Sequence, residues 1–249
     1  MKALIALCFA AVLAAQNAPA LKNGQLETRA FSGDLAAQLK SDKATWFGYA
    51  IKTQRRTDNW CDGQHSSPIQ LEGSDTASVL LRVENNQVEK MKLYSIDCAL
   101  DVGGLPFVWL TGVSAEASLA YLKTLPMDQA IFLISQHAGT EATDILIDEA
   151  KNGKSTHVRE QALFWLSQRA GAKSAAAIVD AITNDPDTGV KKKAVFALSQ
   201  LPADEGVPKL IEVARTQRNP EVRKQAFFWL GQTHDPRALK YIEDVLTTP

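Results

Sequence analysis

A short sequence motif recurs at a fixed interval of 32 residues through the C-terminal half of the chain. Three copies begin at Val158, Val190 and Val222, and a weaker one begins at Pro126 and is in register from Ala130 onward. The copies read VREQALFWLSQ, VKKKAVFALSQ, VRKQAFFWLGQ and PMDQAIFLISQ. A period maintained without gaps indicates one structural unit stacked on itself, and it constrains the fold more than any local signal.

Each copy of the motif predicts two helices. Val158, Ala162 and Leu166 lie on one stripe of an α-helix. Asn219-Pro220 is typical of a helix start, with a capping side chain followed by proline at the first helical position. A second apolar segment follows each motif at a constant offset, at 145–150, 177–182, 209–214 and 241–246. Two helices per period predict an α-solenoid of four two-helix repeats over residues 126–249.

The pattern V-R-x-x-A-x-x-x-L, carried by Val158, Arg159, Ala162 and Leu166, resembles HEAT repeats. The 32-residue period is similar to that of the HEAT-like repeats of phycobilisome lyases. The resemblance implies that the helix with the Val-Arg pair lines the concave side, and that its basic residue contributes to a ladder between neighbouring repeats. The loop aspartate of the family matches at Asp185 alone. Because such repeats serve many unrelated partners, the resemblance specifies architecture more than function.

Stacking turns each repeat position into a row of side chains, and two rows are candidate binding residues. We predict that they form the contact surface for a protein or peptide. The alternative for the aromatic row is packing between adjacent repeats. The basic row is Arg159, Lys191 and Arg223, and the aromatic row is Phe132, Phe164, Phe196 and Phe228.

Two further rows are polar. A glutamine ends every first helix, where its amide can bond to unpaired carbonyls of the helix end. An acidic row on the second helices could pair with the basic row or remain a solvated stripe. The members are Gln136, Gln168, Gln200 and Gln232, and Asp148, Asp180, Glu212 and Asp244.

Residues 21–112 predict a different module, of class α+β with a small antiparallel sheet. Asn85-Asn86 separates two strand-like runs and predicts a tight hairpin, because asparagine tolerates positive φ. A helix over 115–125 is expected to cap the first repeat, so the solenoid domain would cover 113–249. Strands are predicted at 46–52, 79–84, 88–96 and 107–110, with a short helix at 35–39.

The first 20 residues predict a signal peptide. Lys2 precedes an uncharged apolar stretch over 3–15, and Ala18-Pro19-Ala20 supplies a cleavage motif; cleavage after Ala15 is the alternative to cleavage after Ala20. No later apolar run is long enough to span a bilayer, so we expect a soluble, exported product, periplasmic or extracellular. The N-terminal module also resembles the N-terminal part of uncharacterised bacterial HEAT-repeat proteins with export signals, in the runs Trp46-Phe-Gly-Tyr49, Ser95-Ile-Asp-Cys98, Asp101-Val-Gly-Gly-Leu105 and Trp109-Leu110.

Two cysteines follow the predicted signal peptide, Cys61 and Cys98. An even count in an oxidising compartment predicts a disulfide. The alternative is a metal site that adds His65 and Asp97, but adjacent residues of a strand point to opposite faces, which disfavours Asp97 and Cys98 as joint ligands.

No catalytic residues, metal or cofactor are predicted. The motifs G-x-S-x-G and H-E-x-x-H are missing from the sequence, and Asp97 and Asp101 are expected to be turn and cap residues. A formal net charge of −1 disfavours nucleic acid as a partner. We therefore expect a monomeric, extracytoplasmic scaffold for a protein or peptide, with no stable membrane insertion after signal cleavage. The alternatives are a lyase-type enzyme, which the signal peptide disfavours, and a structural envelope component.

Overall fold

A computed structural model describes residues 18–57, 61, 72–169 and 171–247 of the chain. Most of the predicted signal peptide, residues 1–17, lies outside the described residues. The chain forms two compact units, 1–139 and 140–249. Across the described ranges, no helix is both long and apolar enough to cross a bilayer.

The first unit contains a five-stranded sheet of order β2-β7-β3-β4-β5 and a two-stranded pair, β1 with β6. Asn85 and Asn86 form the predicted hairpin turn with φ of 52° and 59°, so this prediction is confirmed. The four predicted strands correspond to β3, β4, β5 and β7. The strands are β1 Leu21–Lys22, β2 Gln25–Ala30, β3 Thr45–Lys52, β4 Thr76–Glu84, β5 Gln87–Ser95, β6 Leu100–Asp101 and β7 Pro106–Thr111.

The prediction of a purely antiparallel sheet is wrong, because the sheet is mixed. Strand β7 runs parallel to both β2 and β3, whereas β3–β4 and β4–β5 are antiparallel. Parallel neighbours need a long connection between them, so no local turn signal marks the β3–β7 pair. Strand β2 was missed because its sequence, QLETRA, is polar and fully exposed at the sheet edge.

A disulfide joins Cys61 to Cys98, with the Cα atoms 5.6 Å apart, so this prediction is confirmed. The metal alternative is wrong for these cysteines, because bonded sulfurs cannot act as thiolate ligands; His65 lies outside the described residues. Cys98 belongs to an apolar cluster with Trp109, and Ala18 packs against that cluster. The segment before β1 is therefore part of the folded unit, and the Ala20 carbonyl accepts a hydrogen bond from the Leu100 amide at 2.8 Å.

Among its described residues the first unit also has three helices: α1 Leu35–Gln38, α2 Ala115–Leu122 and α3 Met127–Gln136. A buried polar network links the sheet to α2 and α3. The hydroxyl of Ser118 lies 2.9 Å from the Tyr49 hydroxyl and 2.9 Å from Nε2 of His137. Nδ1 of His137 lies 2.9 Å from the Leu133 carbonyl, so each polar atom of this buried chain has a partner.

The second unit is a run of seven helices within the described residues. Val158, Val190 and Val222 are each the third residue of their helix, and all three are buried, as the repeat predicts. Helices α5, α7 and α9 contact one another in turn, and so do α4, α6 and α8. The helices are α4 Thr140–Asn152, α5 Thr156–Ser167, α6 Ala172–Asn184, α7 Thr188–Ser199, α8 Ala203–Thr216, α9 Pro220–Gln232 and α10 Pro236–Thr247.

The division after Gly139 separates the two helices of the first predicted repeat. Helix α3 lies in the unit that contains the sheet, where it contacts α2, and α4 opens the helical unit. The predicted domain limits of 21–112 and 113–249, and the number of four repeats, stay predictions.

Candidate protein-binding face

Helices α5, α7 and α9 expose aromatic side chains on the side opposite their buried valines. Phe164 on α5 is 41% exposed and Phe228 on α9 is 54% exposed, whereas Phe196 on α7 is half-buried. Phe132, the fourth member of the predicted row, is 41% exposed on α3 of the first unit. Three of the four phenylalanines thus leave a large part of the ring in water.

Two tryptophans that the row analysis did not select extend this aromatic surface. Trp229 lies with its ring centroid 5.0 Å from that of Phe196 and 5.0 Å from that of Phe228. Trp165 lies 4.9 Å from Phe164. Trp229 therefore links neighbouring helices, and the half-buried Phe196 packs against α9 through this tryptophan. We call Phe164, Trp165, Phe196, Phe228 and Trp229 the aromatic face.

Lysines accompany the aromatic face one helical turn earlier in the chain. Lys192 and Lys193 precede Phe196 by four and three residues, and Lys224 precedes Phe228 by four, spacings that place side chains on one side of a helix. Lys193 and Lys224 are exposed, and Lys192 is within 3.8 Å of Glu221. The spacing of these lysines is visible in the sequence, but a search for one equivalent residue in every repeat does not select them.

The two helix layers of the second unit carry opposite charge. Helices α5, α7 and α9 contain six Lys and Arg and two Glu. Helices α4, α6, α8 and α10 contain ten Asp and Glu and six Lys and Arg. The aromatic face therefore lies on the positively charged layer of a chain whose formal net charge is only −1.

Arg159, the first member of the predicted basic row, is bound within the solenoid. Its Nε and Nη2 donate to the Asp185 carboxylate at 2.7 and 3.2 Å, and Nη1 donates to the Gly153 carbonyl at 3.1 Å. The side chains of Arg159 and Asp185 are 12% and 3% exposed. This bidentate pair ties α5 to the loop before α7, which is the ladder contact that the family resemblance implies.

The other members of the basic row have different surroundings. Lys191 donates to the Thr183 carbonyl at 2.9 Å, and Arg223 is exposed. At the place that corresponds to Asp185 the next loop has Gln217, whose amide donates to the Ile182 carbonyl at 3.2 Å. Because glutamine supplies no charge, the row is not a uniform ladder, and its role in binding stays a prediction.

The glutamine row acts through a neighbouring serine. Each serine hydroxyl donates to the carbonyl of the phenylalanine three residues earlier at 2.6–2.7 Å, and the next glutamine donates to that hydroxyl at 2.9–3.3 Å. The serine, not the glutamine, makes these carbonyl contacts at the helix end. The pairs are Ser135 with Gln136, Ser167 with Gln168 and Ser199 with Gln200; Gly231 precedes Gln232 in α9.

Two members of the acidic row, Asp148 and Asp180, form hydrogen bonds within their own helices. Asp148 accepts from Asn152 at 2.7 Å and Asp180 accepts from Asn184 at 2.6 Å, each within one helix. Asp101 accepts a hydrogen bond from the Gly103 amide at 2.8 Å, as expected of a turn residue.

A groove of about 680 Å³ runs between α4 and α6 on the negative layer. Three charged side chains of its lining are engaged locally: Lys173 lies 3.2 Å from Asp144, Asp180 is bonded to Asn184 and Asp185 to Arg159. Within the described ranges, no three His, Cys, Asp or Glu side chains are arranged to hold a metal ion.

Burial lowers the pKa of Arg169, near the end of α5, to about 10, which leaves it charged at neutral pH.

Comparison with known proteins supports the repeat assignment. Residues 175–249, from α6 onward, match a family model described as HEAT repeats. The match covers roughly a third of the chain and includes Phe196, Phe228 and the lysines beside them. A search of curated proteins finds no match.

Proposed function

We propose that the HEAT repeats of this chain form a protein-interaction scaffold whose aromatic face binds a protein partner. HEAT repeats generally mediate protein interactions. The observation that carries the proposal is the exposure of Phe164 beside Trp165 and of Phe228 beside Trp229. Complete burial of a phenylalanine side chain contributes about 1.5–3 kcal/mol, and the exposed half of each ring leaves roughly half of that for a partner to gain on binding.

The part of each ring that is already buried stabilises the fold by the same reasoning. A ring that is about half exposed recovers about half of this free energy on folding, so replacing it should cost roughly 1 kcal/mol of stability. The loss is small enough for the chain to stay folded, so the loss of a partner can be measured separately from the loss of stability.

Affinity purification from the native cell tests this proposal. The wild-type chain should retain one or a few discrete proteins, and the double variant Phe164→Ser/Phe228→Ser should lose them while it stays folded, with a melting temperature lowered by less than about 10 °C. Leu239→Ser on α10 is the matched control, because Leu239 is 52% exposed but lies on the other helix layer. Equal retention by the double variant would refute the aromatic face, and association with cell-wall material alone would favour a structural envelope component.

We also propose that the mature protein acts outside the cytoplasm. The pattern of residues 1–20 supports export, and the Cys61–Cys98 disulfide is of the kind that persists in oxidising compartments. Fractionation of the native cell, with intact-mass measurement after thiol alkylation, tests the proposal. A cytoplasmic protein of full-length mass with two alkylated thiols besides Cys8 would overturn it.

A further inference from the structure

We infer that the partner segment bound by the aromatic face is an acidic, extended peptide with an apolar side chain at every third residue. This inference rests on the proposed function and adds the chemistry of the partner. Three observations support it: the local charge, the spacing of the rings and the orientation of the rings.

The positive charge of the α5, α7 and α9 layer is concentrated on two neighbouring helices. Helices α7 and α9 carry five Lys and Arg and one Glu, whereas α5 carries one of each sign. Lys193 and Lys224 are exposed beside Phe196 and Phe228. An acidic segment that lies across these helices would place carboxylates near the ammonium groups while its apolar side chains meet the rings.

The distance between the rings indicates how many residues separate the apolar side chains along the peptide. Phe196 and Phe228 lie no more than about 10 Å apart, because each ring centroid is 5.0 Å from that of Trp229. Packed helix axes are about 8–10 Å apart, and equivalent side chains on neighbouring helices repeat at that distance. A polyproline II segment advances about 9.3 Å in three residues, whereas a β-strand advances about 6.6 Å between side chains on one face. The upper bound on the ring separation allows the helix spacing of about 8–10 Å, and that spacing matches the polyproline II advance of about 9.3 Å better than the β-strand advance. We therefore expect every third residue of an extended peptide to meet successive rings.

The orientation of the rings favours a peptide over a single-stranded nucleic acid, which also seeks aromatic and basic groups. The planes of Phe228 and Trp229 are inclined by 81°, and those of Phe196 and Trp229 by 49°. Single-strand binding uses ring faces on which successive bases stack, and neither of these tilted pairs offers two parallel ring faces. The acidic second layer would also repel a long polyanion that extends beyond these helices.

Fluorescence anisotropy with synthetic peptides tests the inference on the full mature chain. The probe is a fluorescein-labelled dodecapeptide, (Leu-Glu-Asp)4. We expect saturable binding that weakens as salt rises. The peptides (Leu-Lys-Lys)4 and (Gly-Glu-Asp)4 should bind at least about tenfold more weakly, because they lack the charge and the apolar side chains respectively. A peptide (Leu-Glu)6, with the β-strand period, should also bind more weakly.

Charge-reversal variants identify the surface that binds the peptide. Lys193→Glu/Lys224→Glu should weaken (Leu-Glu-Asp)4 at least about tenfold with an unchanged melting temperature. The control Lys151→Glu/Lys240→Glu makes the same change in net charge on the other layer and should keep the wild-type affinity. Equal loss in both variants would mean unspecific attraction and would overturn the inference.

The remaining outcomes separate this inference from the proposed function. Binding of oligo(dT) or anionic vesicles in place of the peptide would overturn the inference. If the native partner still depends on the phenylalanines and (Leu-Glu-Asp)4 does not bind, the acidic peptide is wrong and the scaffold proposal stands. If partner retention is also independent of Phe164 and Phe228, both proposals fail.

Discussion

Replacing Arg159 with methionine removes the guanidinium of the most buried ion pair among the described residues. The Asp185 carboxylate, which is 3% exposed, then still accepts a hydrogen bond from the Asp187 amide at 2.8 Å, but it has lost its cation. Methionine keeps the aliphatic stem and its packing. The substitution therefore isolates the charge and the three hydrogen bonds that the guanidinium donates.

The expected loss follows from this geometry. Removing one partner of a buried ion pair costs about 3–5 kcal/mol, because the other charge stays desolvated. Since Arg159 itself is 12% exposed and water can reach its place, we expect the lower end of this range, about 3 kcal/mol. For a helical unit of this size, such a loss corresponds to a fall in melting temperature of roughly 10–15 °C.

Urea unfolding of the full chain, followed by circular dichroism at 222 nm, measures this loss. A double-mutant cycle with Asp185→Asn should give a coupling energy of about 2 kcal/mol. Lys191→Met is the matched control at the next repeat, where one exposed hydrogen bond is lost and the change should stay below about 1 kcal/mol. An Arg159→Met variant as stable as Lys191→Met would refute the reasoning and return Arg159 to the candidate binding residues.

Three further predictions concern the first unit. A reducing agent should destabilise it by about 3–4 kcal/mol, because the disulfide joins residues 37 apart; an unchanged fluorescence melt with free thiols detected would contradict this. A chain that starts at residue 21 should have a lower melting temperature than one that starts at residue 16, because the Leu100 amide loses its acceptor and buried Pro19 is removed. Equal melting temperatures in differential scanning calorimetry would show that the segment adds no stability. Ser118→Ala should lower the free energy of unfolding, measured with urea, by about 1–3 kcal/mol, because it leaves buried polar atoms of Tyr49 and His137 unpaired. The control Ser118→Thr keeps the hydroxyl and should lower it less.

Local signals in the sequence predicted the elements whose contacts are close in the chain. Asn85-Asn86 sets its hairpin through the φ preference of two residues, and Asn219 caps α9 through an acceptor two residues from the amide it bonds. For both asparagine signals few residues decide the outcome, and no distant neighbour is needed. The disulfide joins residues 37 apart and was predicted differently, from the even count of cysteines and the predicted oxidising compartment.

The candidate site was predicted in part. The row of phenylalanines was found because period 32 places Phe164, Phe196 and Phe228 at equivalent positions, but their exposure depends on which helices pack beside them. Trp229 was missed because α7 has Ala197 at the equivalent place, so no complete row marks it. Arg159 was grouped with Lys191 by charge, and the contact with Asp185 separates them.

The sequence by itself determined the helical repeat, because the period of the apolar residues is the period of the surface that each helix must bury. The tertiary structure alone decided the parallel pairing of β7, the division after Gly139 and the split of the basic row into a buried link and exposed cations. These features depend on contacts between residues far apart in the chain, whose free energy no local pattern encodes.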